Sequence, residues 1–551
     1  MIQKVMSAIK FMLMLFVIFL FNCQYQSIEN LVPLSPGPTP SYWCTWGAQN
    51  FAVNEHSLAN ALALGDHATA ANNLTEQNLF HDPGWATNYF QQARADLYII
   101  FDVGWDVPTD TQFDQARWLL GRLELATDKF PGCTGAPTER LRQLNERCQQ
   151  AGWKGAGLWL AAHAFGEGQD GKRLDDQALE AYFRERARWC HNAGIEYWKV
   201  DYGFRGGDLK FRQLLTQIAR EEAPNLWVEH ARGGGPLNDE ECPWDTPNFY
   251  RRGSFRTWDD GRVLQRAVEL VSFSQVFRTY DVSAHLSIPT TLDRVAQILA
   301  EFSGNPTAEG LLNCEDEPFI GAVLGCAIGV MRHPRWLEGV GKNYDPLQVK
   351  KRIDEVTRAV RWQRITPAFG VGATSITLDD KMLHDTWTFS EGETWATWLI
   401  GKEVMQAAPA RVARGMNLPE VDCSGEPPYV IAAKHPNGAS AVATLPRISS
   451  KKGFYFPAAA ITVDIGSDTH LIGIFGRYRT LTLKLSTRRH LRRILAQDLA
   501  GDKASDITSR VVQKTNELTL SGDLIEKIGL AAATPGDISE PGLVLKLEFG
   551  D

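Results

Sequence analysis

The sequence predicts an α/β protein: a (β/α)8 TIM barrel followed by a C-terminal antiparallel β-sandwich domain. Three observations predict it. From Ser41 to about Pro367 short apolar runs alternate with longer amphipathic ones, the rhythm of parallel strands joined by crossover helices. Several of those runs end on polar or aromatic groups, as barrel strands do where their carboxyl ends converge on one face. Beyond about Lys381 strand-like runs separated by turn residues take over, the texture of a sandwich.

The chain opens with Lys4 and Lys10 ahead of the apolar run Phe11 to Phe21. That run is too short for an ordinary membrane-spanning helix and suits a signal peptide. Residues 1–23 are therefore expected to be a signal peptide that ends on a candidate lipoprotein cysteine, Cys23. Residues 24–40, with LVPLSPGPTP, read as a stiff Pro-rich tether. The barrel is assigned to 41–375 and the sandwich to 376–551. Export to the periplasm or cell surface follows, with membrane attachment through an N-terminal lipid.

Barrel strands are expected at YWCTW (Tyr42 to Trp46), LYIIFDV (Leu97 to Val103), GAGLWLAA (Gly155 to Ala162), IEYWKVD (Ile195 to Asp201) and LWVEH (Leu226 to His230). SFRTW (Ser254 to Trp258), VFRTYDV around Phe277 and a weak eighth at Gly310 to Asn313 complete the set. Helices are expected at Asp175 to Ala193, Leu209 to Glu222, Gly261 to Ser272 and Thr291 to Phe302. The insertion Asn54 to Asn88 is expected to be helical. In the second domain HPNG, His435 to Gly438, reads as a hairpin turn.

A net charge of −8 argues against a nucleic-acid partner. Seventeen tryptophans give weak support to sugar binding, because indole faces stack on sugar rings. The nine cysteines have neither a CxxC pair nor zinc-ligand spacing, and the twelve histidines lack an HExxH pattern, so no metal and no cofactor is expected. Cys133 and Cys148 could close a loop, which spacing alone does not decide.

The chemistry centres on IEYWKVDYG. Side chains alternate along a strand, which puts Tyr197, Lys199 and Asp201 on one face and Trp198 and Val200 on the other. A lysine pointing the same way as Asp201 would hold it ionised, as a nucleophile must be; a structural ion pair is the competing reading. Asp259 and Asp260 close the RTWDD run at the expected sixth strand. Carboxylates facing one another across a barrel mouth are what glycosidic cleavage needs, one attacking the anomeric carbon and one protonating the leaving oxygen. Arg256 would orient a hydroxyl or tune the acid.

These motifs resemble glycoside hydrolase clan D, the α-galactosidase families 27 and 36. YWKVDY looks like the nucleophile strand, with Lys199 matching a sugar-contacting lysine and Asp201 the nucleophile. FDVGW resembles the second-strand LDDGW motif, which gives Asp102 and Trp105 substrate roles. VEHARGGG, with Glu229 and Arg232, is similar to the ECSGGGG loop. The run from RTWDD to TYDVSAHLS, which holds His285, aligns without gaps on the family 36 stretch from WTSDDTD to GAHVS. It makes Asp259 the acid/base, with Asp260 as second choice. Trp46 resembles the tryptophan that floors the sugar.

The resemblance implies a retaining glycoside hydrolase acting on terminal α-galactoside-like residues of oligo- or polysaccharides. Val103 stands where the family has a second aspartate, and His230 with Ala231 replaces the cysteine region. Both departures fall in sugar recognition and open the choice to other axial-O4 sugars. The alternative is a catalytically inactive glycan-binding surface lipoprotein on the same barrel.

Overall fold

The computed structural model describes residues 29–53, 67–113, 115–230, 261–279, 285–331, 353–388, 390, 401–466, 469–486, 491–535 and 538–550. Eight parallel strands close into a barrel in chain order. They are β1 (Tyr42–Cys44), β2 (Tyr98–Phe101), β3 (Gly155–Leu160), β4 (Tyr197–Val200), β5 (Trp227–His230), β6 (Val276–Arg278), β7 (Leu311–Glu315) and β8 (Ala327–Val330). Outside them run α1 (Pro137–Gln150), α2 (Asp176–Ala193), α3 (Leu209–Glu222), α4 (Gly261–Val271), α5 (Ser287–Glu301), α6 (Pro318–Leu324) and α7 (Ile353–Ile365).

The helices start and stop for local reasons. Asp175 caps α2 by accepting the Ala178 N–H, and Gly194 ends it in the left-handed region that glycine adopts without strain. Asp208 caps α3 through the Phe211 N–H. The insertion after β1 is helical where described, at Trp46–Val53, His67–Asn72, Glu76–Phe80 and Trp85–Asn88.

Strand alternation sorts the side chains into two cores. Trp43, Ile99, Phe101, Leu158, Leu160, Trp198 and Val200 face the helices in one large apolar cluster, where Trp198 Nε1 donates to Cys190 Sγ of α2 at 3.2 Å. Tyr42, Cys44, Tyr98, Ile100 and Tyr197 fill the barrel interior. Their bulk requires small neighbours: a Cβ on Gly157 would lie 2.3 Å from Ile100 and 2.7 Å from the Tyr197 Cβ. A glycine in mid-strand is therefore a packing requirement here.

Two strand assignments need correction. Glu229 and His230 pair directly with Val276 and Phe277, so the sixth strand is the VFR segment, while SFRTW lies outside the described residues. The place left over is taken by β8, whose Gly329 and Val330 pair with β1. Its AIGV run, just past the glycine that ends α6, lacks the polar end that marks several of the other strands.

In the second domain an eight-stranded sheet runs in the spatial order Ser505–Asp506, Leu491–Asp498, Gly542–Phe549, Leu471–Phe475, Ser440–Leu445, Tyr429–Lys434, Arg411–Arg414 and Ile376–Leu378. It faces a five-stranded sheet across an aliphatic core that includes Val430, Val442, Ile461, Ile474, Leu481 and Leu545. Most pairings are antiparallel, but three are parallel. HPNG forms the expected hairpin, with Gly438 at φ +87°.

The large sheet braces α7. Arg358, buried in α7, donates to both carboxylate oxygens of Asp498, at 2.9 and 3.1 Å. Residues 29–40, within the expected tether, are docked on the protein. Leu31 and Val32 are buried, and the segment's backbone is held by Gln497, Asp96, Arg364 and Lys154. No helix among the described residues is long and apolar enough to cross a membrane.

Candidate active site

Asp201 follows the last residue of β4 and is half-buried. Its Oδ2 accepts the indole N–H of Trp159, an inward-facing residue of β3, at 3.0 Å. Its backbone carbonyl accepts from Arg212 Nη2 at 3.1 Å. Arg212 lies buried in α3 and also donates to His230 Nδ1 at 3.2 Å. A cationic donor at Nδ1 leaves the proton on Nε2, which faces Thr216 Oγ1 at 2.8 Å. Burial and the Arg212 charge push the His230 pKa well below its ordinary value, so the ring stays neutral. His230 is thus part of the scaffold that fixes the Asp201 backbone.

Lys199 lies beneath Asp201 on the same strand face, and its ion pair is with Asp102 at 2.8 Å. The expected lysine support for the strand-end carboxylate is therefore redirected across the barrel to β2. Asp102 is well held: Oδ1 takes the Val103 N–H at 2.8 Å, and Oδ2 also takes the Cys44 thiol at 2.9 Å. Its own N–H donates to Thr45 Oγ1 at 3.0 Å. Burial works against the Lys199 ammonium, but Asp102 outweighs it and holds the pKa above its usual range. Burial and Asp102 together push the Cys44 thiol well up, so it stays a neutral donor.

Glu229 is on β5 and is fully buried. Tyr42 Oη donates to its Oε1 at 3.1 Å, while Tyr197 Oη and Asn313 Nδ2 donate to its Oε2 at 2.9 and 2.5 Å. Arg278 of β6 lies 3.9 Å from Glu229 and bonds directly to Glu315 of β7. Burial raises the Glu229 pKa, with Arg278 opposing. Arg278 itself is held above its usual range despite burial, by Glu315, Tyr42 and Asp201 among others. This cluster cross-links five strands from the inside.

The residues singled out in the sequence therefore separate. Asp201, Lys199 and Asp102 come together at the carboxyl ends of β4 and β2. Trp46 opens a helix just past β1 and packs, partly buried, against both the interior cluster and the apolar group of Val103 and Trp159. Trp105 does not face the mouth: it is fully buried in the outer core and its Nε1 donates to the Trp159 carbonyl at 2.9 Å. The glycine before it, Gly104, has φ +112° and turns the chain outward. His285 is buried against the second domain, stacked on Trp387 with ring centroids 4.5 Å apart and planes 7° from parallel. Glu229 is enclosed by protein donors and is a scaffold group. Asp259, Asp260, Arg232 and Arg256 lie outside the described residues.

Sequence reasoning missed Trp159, Cys44 and Arg278 as partners. Alternation along GAGLWLAA does put Trp159 on the inward face, two residues past Gly157, but it does not show which carboxylate the indole meets. Among the described residues no cluster of His, Cys, Asp or Glu could hold a metal ion. A half-buried carboxylate held by the Trp159 indole and through its own backbone carbonyl, on the strand face of a buried lysine–aspartate pair, can act as a nucleophile or stabilise a developing cation.

Comparison with protein-family models finds no match, and neither does comparison with curated proteins. Among solved structures the chain is similar to a GH27 β-L-arabinopyranosidase from Geobacillus stearothermophilus, at 9% identity and TM-score 0.36, covering 93% of this chain and 96% of that one. It is also similar to α-galactosidase from Saccharomyces cerevisiae with raffinose, at 10% identity and TM-score 0.39, covering 94% and 100%. α-Galactosidase I from Mortierella vinacea gives 12% identity and TM-score 0.34, covering 95% and 98%. At this degree of likeness the reading of the site rests on its own side chains.

Proposed function

We propose that the protein is a retaining glycoside hydrolase that removes terminal α-galactoside-like residues from glycans, with Asp201 as nucleophile. The observation that carries this reading is the Asp201 carboxylate itself. It is half-buried at a barrel strand end, bonded through Oδ2 to Trp159 and seated over the Lys199–Asp102 pair.

In the first step an Asp201 oxygen bonds to the anomeric carbon as the glycosidic C–O bond breaks, and an acid, Asp259 or else Asp260, gives its proton to the leaving oxygen. In the second step the resulting carboxylate takes a proton from water, the water oxygen bonds to the anomeric carbon, and Asp201 is released. Asp102 and Lys199 are suited to bind sugar hydroxyls, one as acceptor and one as donor. Trp46 offers a partly buried indole face to the ring. Substrate reaches the protein outside the cytoplasm if the N-terminal segment directs export.

The test is hydrolysis of aryl α-D-galactoside, β-L-arabinopyranoside and α-N-acetylgalactosaminide by the full chain and by Asp201→Asn. Turnover with retained anomeric configuration is expected for the first protein and its loss for the second. Turnover that persists in Asp201→Asn would remove the assignment. One observation favours an inactive glycan-binding surface protein: Val103, where the resemblance would have a second carboxylate, is buried in an apolar cluster. That reading predicts polysaccharide affinity without turnover of any glycoside.

A further inference from the structure

We infer that Trp159 is a positioning residue for the proposed nucleophile, orienting the Asp201 carboxylate and fixing its protonation state through the indole N–H. The inference rests on the reading of Asp201 given above. Trp159 is one of the largest fully buried side chains of the protein, and its Nε1 lies 3.0 Å from Asp201 Oδ2. An indole N–H can only donate, so it bonds to an ionised carboxylate far better than to a protonated one.

The indole cannot turn away. Tyr202, next to Asp201, meets its ring edge-to-face at 5.5 Å and 61°, and Val103, Phe113, Leu120 and Ala161 pack against it. Its backbone is held from behind, because the Trp159 carbonyl accepts the Trp105 indole N–H at 2.9 Å. Two tryptophans therefore run in series from the outer core to the carboxylate.

The choice of donor has a chemical consequence. A lysine bonded to Asp201 would stabilise the carboxylate more strongly, but it would also weaken it as a nucleophile and oppose the positive charge that develops on the sugar ring. A neutral donor orients the group without adding a further cation to the Arg278 charge that already acts on Asp201. The cation on the same strand face, Lys199, is instead engaged by Asp102.

The experiment uses the full chain with ¹⁵N-labelled tryptophan. The Trp159 indole signal, assigned by its loss in Trp159→Phe, is expected to shift with pH through one titration and to lose that shift in Asp201→Asn. This readout needs no substrate, so it stands or falls separately from the glycosidase reading. With an aryl glycoside that the wild type cleaves, Trp159→Phe should lower kcat/KM about 10- to 100-fold, as for a lost hydrogen bond to a charged group. It should also move the acid limb of kcat/KM upward by about one pH unit. Trp105→Phe, one link removed, should leave that limb where it is. An indole signal blind to Asp201, or an acid limb unmoved in Trp159→Phe, overturns the inference. Activity retained in Asp201→Asn together with an Asp201-dependent indole signal would instead overturn the glycosidase reading alone.

Discussion

Asp201 and Glu229 stand on neighbouring strands of one barrel and point into the same interior, yet they are built for opposite purposes. Glu229 is fully buried and accepts from two tyrosines and an asparagine, with Arg278 alongside. Asp201 lies past the strand end, half-buried, with its described side-chain donor a neutral indole. Depth separates them: a carboxylate inside the barrel must be fully satisfied or neutralised, whereas Asp201 lies at a strand end, the level at which barrel enzymes build their sites. The same chemistry serves as a cross-link at one level and as a reactive group at the next.

The sharpest way to break this contrast is to neutralise each carboxylate in turn. Asp201→Asn should reduce glycoside turnover by roughly 10⁴-fold while moving unfolding stability by less than about 1 kcal/mol; a large loss of stability would make Asp201 a structural group. Glu229→Ala should do the reverse. It takes away the acceptor of Tyr197 and Asn313 and leaves Glu315 as the carboxylate shared by Tyr42 and Arg278, at about 3–5 kcal/mol by urea unfolding. A near-neutral result would show that the interior does not depend on this carboxylate.

A third carboxylate sharpens the comparison. Asp106, four residues past Asp102, is as deeply buried as Glu229, but its hydrogen bonds come from backbone N–H groups, that of Leu123 reaching Oδ2 at 3.1 Å. Lys129, the nearest cation, gives its protons to the carbonyls of Ala71 and Gly104. Burial therefore pushes the Asp106 pKa up to about 6. Because the folded state holds this proton more tightly than the unfolded chain does, stability falls as pH rises from about 4 through about 6, and levels off above. Asp106→Asn should remove that fall, raising stability at neutral pH by about 2 kcal/mol relative to wild type and leaving pH 4 unchanged. Parallel melting curves for the two proteins across pH would refute it. The smallest effect belongs to Trp105→Phe, which leaves the Trp159 carbonyl without its donor and should cost about 1 kcal/mol in the same assay.

Much of the frame was legible because it is local. Runs such as LYIIFDV and IEYWKVD carry their strand character and their inward face in their own alternation, and the caps at Asp175, Asp208 and Gly194 lie within one turn of the helices they bound. The final third of the barrel was less legible. There β8 reads as a continuation of the apolar run that forms α6, so only pairing with β1 identifies it. The site followed the same division. That Asp201 ends a strand was readable, but Trp105 and His285 were assigned to the mouth from their nearness to motifs. A backbone turn at Gly104 and a stack against the second domain direct them elsewhere.

By itself, then, the sequence determined the alternation of strands and helices, the side of β4 on which Lys199 and Asp201 lie, and the change to sandwich strands after the barrel. Each depends on neighbours a few residues apart, where backbone geometry leaves little choice. Only the tertiary structure decided which partner each charge would take: Lys199 with Asp102, Asp201 with Trp159, Glu229 with Tyr42 and Asn313. Those pairs join residues between 42 and 187 positions apart. They exist because closing the barrel brings the strands to a common interior, where burying a charge without a partner is costly.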